Sequence, residues 1–290
     1  MIPITRTSKF RIMIIDTHHH FWNYNPVEYD WIDDEMASIR KSFLPENLRE
    51  TLASTDVQGV VTVQARQSLE ETDWLLKMAA ENDFMKGIVG WVPLADPTSG
   101  EILEKYAANK WLKGVRHVVQ GEPDPEFILR EDFNRGISHL KKFGLVYDIL
   151  ITENQLPNTI RFVDQHPEQQ FVVDHIAKPK IRKNEIEDWK QNLKKLAQHE
   201  NVACKISGMV TEANYKTWTE KQLQPYFDVV LDAFGPSRLM FGSDWPVCLV
   251  ATNYIDWLNL VKKSTLGCSL MEREQIFYEN ALTIYRLGEL

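Results

Sequence analysis

Residues 12–20 read Ile-Met-Ile-Ile-Asp-Thr-His-His-His: four apolar residues, an acid, a threonine and three consecutive histidines. An unbroken apolar run this short marks a strand covered on both faces, as parallel sheets require, rather than a half-exposed strand with alternating polarity. The run Ile12–Asp16 has counterparts at Gly59–Gln64, Gly87–Val92, Gly114–Val118, Leu145–Ile151, Gln170–Asp174, Val202–Ser207 and Leu239–Ser243. Between them, Leu69–Glu81, Glu101–Asn109, Asp132–Lys142, Gln155–His166 and Glu185–Glu200 space their apolar residues at helical period. Asp96-Pro-Thr-Ser99 and Thr152-Glu-Asn154 supply turn and N-cap chemistry at helix starts. Strands alternating with helices in this way predict an α/β fold, a single (β/α)8 barrel, and the length suits one. An open doubly wound sheet is disfavoured, because no GxGxxG or GxxxxGK[ST] turn follows any of the strands. No linker, repeat or composition break divides residues 1–290, which predicts one domain. The stretch from 21 to 45, rich in aromatics (Phe21, Trp22, Tyr24, Tyr29, Trp31), reads as a long loop after the first strand.

Composition narrows the function classes. The net charge is −8, and phosphate binding needs a basic face, so a nucleic-acid partner is not expected. Lys178, Lys180, Arg182, Lys183, Lys190, Lys194 and Lys195 do cluster, but Glu185, Glu187 and Asp188 interrupt them, which reads as a solvated helix face. No window approaches the ~20 apolar residues of a membrane span, and the first eleven residues lack a signal-peptide core, so no membrane association is expected. Three cysteines (Cys204, Cys248, Cys268) outside any CxxC spacing argue for a reducing compartment, the cytoplasm. Cys248 has no base assigned to it and reads as a small buried residue. His139, His166 and His199 fall in or beside helices and read as surface.

The chemistry gathers at strand ends. His18 and His20 close the first strand, and strand alternation turns them to one side and His19 to the other. That spacing suits a borderline metal such as zinc. His175 follows the sixth strand and Asp244 the eighth. On a barrel all four converge at the C-terminal mouth, a constellation far more specific than any member. Separately, Asp244 reads as a turn cap after Ser243, and His175 as a buried histidine bonded to backbone.

Asp-Thr-His-His-His-Phe-Trp (16–22), Lys-Gly-Val-Arg-His (113–117), Asp-His-Ile-Ala-Lys-Pro (174–179), Cys-Lys-Ile-Ser-Gly (204–208) and Met-Phe-Gly-Ser-Asp-Trp-Pro-Val-Cys (240–248) together resemble the amidohydrolase superfamily, nearly end to end. Within it the chain is similar to the amidohydrolase-related branch of sugar lactone hydrolases, of the L-fuconolactonase and L-rhamnonolactonase type, and of 2-pyrone-4,6-dicarboxylate lactonase. The resemblance implies hydrolysis of an aldono-1,4- or 1,5-lactone, a small-molecule sugar lactone being the partner. Many superfamily members bridge two metals with a carboxylated lysine or a glutamate on the fourth or fifth strand. Those strands offer Arg116, His117 and Asp148 instead, so one divalent metal is the most expected. Zinc on His18, His20 and Asp244 is one alternative. Metal-free catalysis, with His18, His20 and His175 as donors to the lactone carbonyl, is the other.

Ester hydrolysis assigns Asp244 as general base and later proton donor, with the metal or the imidazoles as electrophile. Arg116 reads as a substrate ligand or as a partner of Asp148 inside the barrel, and Lys205 as a mouth ligand or an ion-pair partner. Trp22 and Trp245 stack on a sugar face or pack in the core; Gln64 is a polar substrate contact. A metal-dependent decarboxylase or amide hydrolase of the same superfamily, and a non-catalytic sugar-binding barrel, are the competing readings. A homodimer through the outer helices is the assembly to look for.

Overall fold

The computed structural model describes residues 12–288. Its strands are β1 (Ile14–His19), β2 (Val57–Val63), β3 (Met85–Gly90), β4 (Leu112–His117), β5 (Val146–Ile149), β6 (Phe171–Val173), β7 (Val202–Ile206) and β8 (Leu239–Phe241). They pair in parallel in sequence order. Around them lie α1 (Pro45–Leu52), α2 (Leu69–Glu81), α3 (Ser99–Ala107), α4 (Glu131–Leu140), α5 (Leu156–Asp164), α6 (Glu187–Leu196), α7 (Glu220–Phe234) and α8 (Tyr254–Ser264). The architecture is a (β/α)8 barrel. β5, β6 and β8 stop short of their apolar runs, because Leu150, Asp174 and Ser243 have already turned into the loops of the mouth.

Every strand but β4 contributes to two apolar layers. Ile15, Val61, Val63, Val89, Val146, Val172, Ala203 and Met240 fill the barrel interior, and Ala281 of the last helix (Asn280–Ile284) and Tyr285 just after it pack against them. The alternate residues, among them Ile14, Val60, Ile88, Val115, Tyr147 and Phe171, meet the helices. This double burial is the physical content of the unbroken apolar runs.

Closure between β8 and β1 runs through polar groups. Thr17 Oγ1 donates to Phe241 O (2.8 Å), Ser243 N to Asp16 Oδ1 (2.8 Å), Asp244 N to His18 O (2.7 Å) and His20 N to Trp245 O (2.7 Å). Those bonds set His18, His20 and Asp244 side by side. Against β2, Asp16 aligns with Val60 and His19 with Thr62, three residues against two, so β1 is bulged there. Strict alternation from the inward-facing Ile15 would turn His18 toward the helices. The bulge restores it to the interior and sends His19 outward, onto Thr62 Oγ1 at 2.8 Å.

Candidate active site

Three imidazoles and a carboxylate meet on the floor of the mouth. His18 Nε2 lies 3.2 Å from His20 Nε2, and Asp244 Oδ1 lies 3.9, 3.6 and 4.0 Å from the Nε2 atoms of His18, His20 and His175. Each ring is fixed by its other nitrogen: His20 Nδ1 donates to Val63 O (2.8 Å), His18 Nδ1 lies 3.2 Å from both Asp174 Oδ1 and Lys205 Nζ, and His175 Nδ1 is engaged by the Ser207 hydroxyl (2.9 Å). The Nε2 atoms of His18 and His20 are thereby turned toward one another and toward Asp244. Burial holds His18 far below its ordinary pKa and His175 at about 4, so both are neutral near pH 7. Burial pushes the Asp244 carboxyl up, but His175, His20 and Lys178 outweigh it and leave it below its usual value.

These residues fit a metal ion. Zinc–nitrogen bonds of about 2.0–2.1 Å in a tetrahedron place donor atoms roughly 3.4 Å apart, close to the separations found here. Two imidazole nitrogens 3.2 Å apart with a carboxylate oxygen 3.6 Å from one of them make a nitrogen–oxygen donor set of the kind a divalent cation takes. His18, His20 and Asp244 form one such donor group, and His18, Asp174 and His175 an adjoining one.

Beneath the floor is a buried charge network. Asp174 accepts from Arg116 Nη1 (2.9 Å) and meets Lys205 Nζ through Oδ1 (3.0 Å); Lys205 also donates to Asp148, whose carboxylate takes the Tyr285 hydroxyl at 2.8 Å. Burial raises Asp174, but Lys205, His18 and Arg116 more than reverse this and keep it ionised. Two buried cations thus balance two buried carboxylates, as a low-dielectric interior requires. Arg116 Nη1 reaches to 3.4 Å from His18 Nε2 and Arg116 also lines the cavity above, so it serves both network and mouth.

The loop after β6 is the strained element. His175, Ile176, Ala177 and Lys178 all take left-handed φ (52°, 50°, 60° and 45°), at roughly 1–2 kcal/mol per residue. Lys178 N bonds to His175 O (2.9 Å), Trp189 Nε1 clamps Ile176 O (2.7 Å), and Gly208 (φ 65°) backs the turn. A Cβ on Gly208 would stand 2.5 Å from His175 Nδ1, so glycine is required both for its conformation and for that close approach. The turn brings His175 and Lys178 to the same cavity.

That cavity holds about 320 Å³ and is lined by His20, Arg116, His175 and Asp244 below and by Trp31, Met36, Gln120, Lys178, Glu212 and Tyr215 around the rim. A wider cleft of about 600 Å³ behind Trp245, lined by Phe43, Asn47 and Asn253, contains none of these histidines.

Of the residues expected from the sequence, His18, His20, His175, Asp244 and Arg116 come together. Lys205 and Asp148 are fully buried under the floor and paired with each other, and Arg116 takes Asp174 rather than Asp148 as its carboxylate. Gln64 is likewise fully buried; its amide lies 3.4 Å from Arg116 O. Trp22 packs against Tyr29, Trp31 and Phe43 with Nε1 bonded to Lys41 O, and Trp245 packs against Phe21 and Phe43. The tryptophan lining the cavity is Trp31, 39% exposed. Lys178, grouped by sequence with a solvated helix face, precedes α6 and faces the cavity, a correction that follows from the left-handed turn. Asp174, Gln120, Glu212 and Tyr215 were missed. Asp174 had a signal, since it ends an apolar run as Asp244 nearly does.

A parallel barrel with an imidazole–carboxylate cluster at its C-terminal mouth defines a class of hydrolytic, metal-competent sites. The chain belongs to the amidohydrolase family, whose family model matches residues 15–287. It is 36% identical over 286 residues to L-fucono-1,5-lactonase of Burkholderia multivorans, covering 95% of this chain and 96% of that one. L-fucono-1,5-lactonase of Burkholderia ambifaria is 33% identical, covering 94% and 95%. Among solved structures, a zinc-bound amidohydrolase from Burkholderia multivorans superposes with a TM-score of 0.91 at 35% identity, over 95% of this chain and 100% of that one.

Proposed function

We propose that this protein is a hydrolase that opens sugar lactones, an aldono-1,4- or 1,5-lactone such as L-fuconolactone or L-rhamnonolactone. The observation that carries the reading is the approach of the Asp244 carboxylate to within 4.0 Å of three imidazole nitrogens on the floor of a polar cavity. The similarity to two L-fucono-1,5-lactonases supplies the substrate class.

The lactone carbonyl is seated over His18, His20 and His175, with its oxygen toward Arg116 Nη1, a fixed cation beside His18 Nε2. A divalent ion held by His18, His20 and Asp244 would supply Lewis-acid polarisation of that carbonyl. Asp244, ionised at neutral pH, orients a water and takes its proton as the oxygen attacks the carbonyl carbon. When the ring C–O bond breaks, its electron pair stays on the ring oxygen, and Asp244 returns the proton there, leaving an open-chain hydroxy acid. Asp174, itself held by Lys205, keeps His18 oriented throughout, and burial keeps that imidazole neutral. The free cysteines Cys204, Cys248 and Cys268 fit a cytoplasmic enzyme, and a homodimer through the outer helices is the assembly proposed for it.

The test is acid release from L-fuconolactone followed with a pH indicator. Asp244→Asn is expected to lower kcat by about 10³-fold, within the range for loss of a positioned base, with an unchanged circular dichroism spectrum. Near wild-type turnover would refute the mechanism. Activity after chelation separates the ion from the imidazoles as electrophile.

A further inference from the structure

The rim of the cavity carries polar groups that form no bond to the reacting atoms in the opening reaction. Lys178 Nζ stands 3.8 Å from Glu212 Oε1, beyond hydrogen-bond reach, and neither head group has a hydrogen bond to protein among the described residues. Both are mostly shielded from solvent, with side chains 20% and 26% exposed, and both line the cavity. Gln120 also lines the cavity, its Oε1 buried and without a hydrogen-bond partner. An ammonium with free donors and a carboxylate with free lone pairs therefore face one space, which the exposed indole of Trp31 also lines.

This combination matches a polyhydroxylated ring. A carboxylate accepts one hydroxyl proton while the ammonium donates to the neighbouring hydroxyl oxygen, and a gap of 3.8 Å leaves room for both oxygens to bridge the pair. The aromatic wall covers the C–H face of the ring. The strain stored at residues 175–178 has a use here. Three residues on from His175, Lys178 is brought to the same cavity as the catalytic imidazole, which a loop relaxed into extended backbone would not do. A site built to bond hydroxyls also rejects the analogue lacking them, because its buried polar groups are then left unpaired.

We propose that Lys178 and Glu212 form the hydroxyl-recognition subsite of this cavity and set its preference for polyhydroxylated lactones over unsubstituted ones. The inference rests on the lactone-opening reading for the identity of the ring, but not for the existence of the subsite.

Two measurements test it and separate the two ideas. In the first, kcat/KM is compared for L-fucono-1,5-lactone and δ-valerolactone, which has the same ring without hydroxyls. Wild type is expected to prefer the sugar lactone by about 100-fold or more. Lys178→Met and Glu212→Gln should each cut that preference at least tenfold, mainly through KM, with Lys178→Arg recovering part of it. Equal losses on both lactones, or an unchanged preference, would overturn the subsite. In the second, calorimetry compares L-fuconate with hexanoate at neutral pH. Tighter binding of the hydroxylated acid by wild type, lost in Lys178→Met, supports the subsite even if no lactone is opened, in which case only the proposed function fails. Equal binding of both acids by wild type overturns it.

Discussion

Glu71 sits in the first turn of α2 with its carboxylate folded back on the loop it follows, accepting the amides of Ala65 (2.9 Å) and Arg66 (2.7 Å). Burial raises its pKa from 4.5 to about 7, against those two amides and the Arg66 charge, which lower it. The folded state therefore holds a proton that the unfolded chain releases at lower pH. This contribution to stability is complete below pH 4.5 and is lost as pH rises through about 7, a total on the order of 3 kcal/mol. Glu71→Gln keeps an acceptor for both amides without the charge. Urea unfolding from pH 4.5 to 8 should show the variant gaining on wild type as pH rises, and parallel curves would contradict this. The position was not legible in the sequence: a glutamate near a helix start reads as a favourable dipole partner, and only the fold shows that it is buried.

Elements are joined at the site by charge as much as by ladder hydrogen bonds. Lys205 on β7 ties Asp148 on β5 to Asp174 at the end of β6, and Tyr285, just past the last helix, closes the array from below. Lys205→Met keeps the apolar stem but leaves two buried carboxylates facing one remaining cation, Arg116. The expected loss is ~3–5 kcal/mol by urea denaturation, the usual result of removing one partner from a buried ion pair. Adding Asp148→Asn to that variant should recover part of it, since the surplus charge goes with it. If the double variant is no more stable than the single one, the charge-balance account fails. Sequence placed Lys205 and Asp148 on their strands and left open whether they were ligands or ion-pair partners. Pairing across three strands decided it, because inward side chains of neighbouring strands meet beneath the mouth before they can reach it.

At the scale of the molecule, the candidate metal group links the first strand to the last. His18 and His20 belong to the start of the chain and Asp244 to its final quarter, so an ion held by the three reinforces the β8–β1 closure, where the ladder is shortest. Zinc added to chelator-treated protein is expected to raise the melting temperature by several degrees, since a ligand at about 100 times its Kd contributes ~2.7 kcal/mol. His20→Ala should abolish the rise, and an equal rise in both proteins would place the ion elsewhere. No helix among the described residues is long and apolar enough to cross a membrane. The sequence by itself determined the eight-strand alternation and the four residues at three strand ends, because continuous apolarity and strand-end polarity are local properties that need no partner to be read. Tertiary structure decided which way those residues face and what surrounds them. The bulge that turns His18 inward, the left-handed turn that carries Lys178 to the cavity and the packing that buries Trp22 while exposing Trp31 all depend on contacts between segments distant in the chain, and such contacts leave no periodic trace in the sequence.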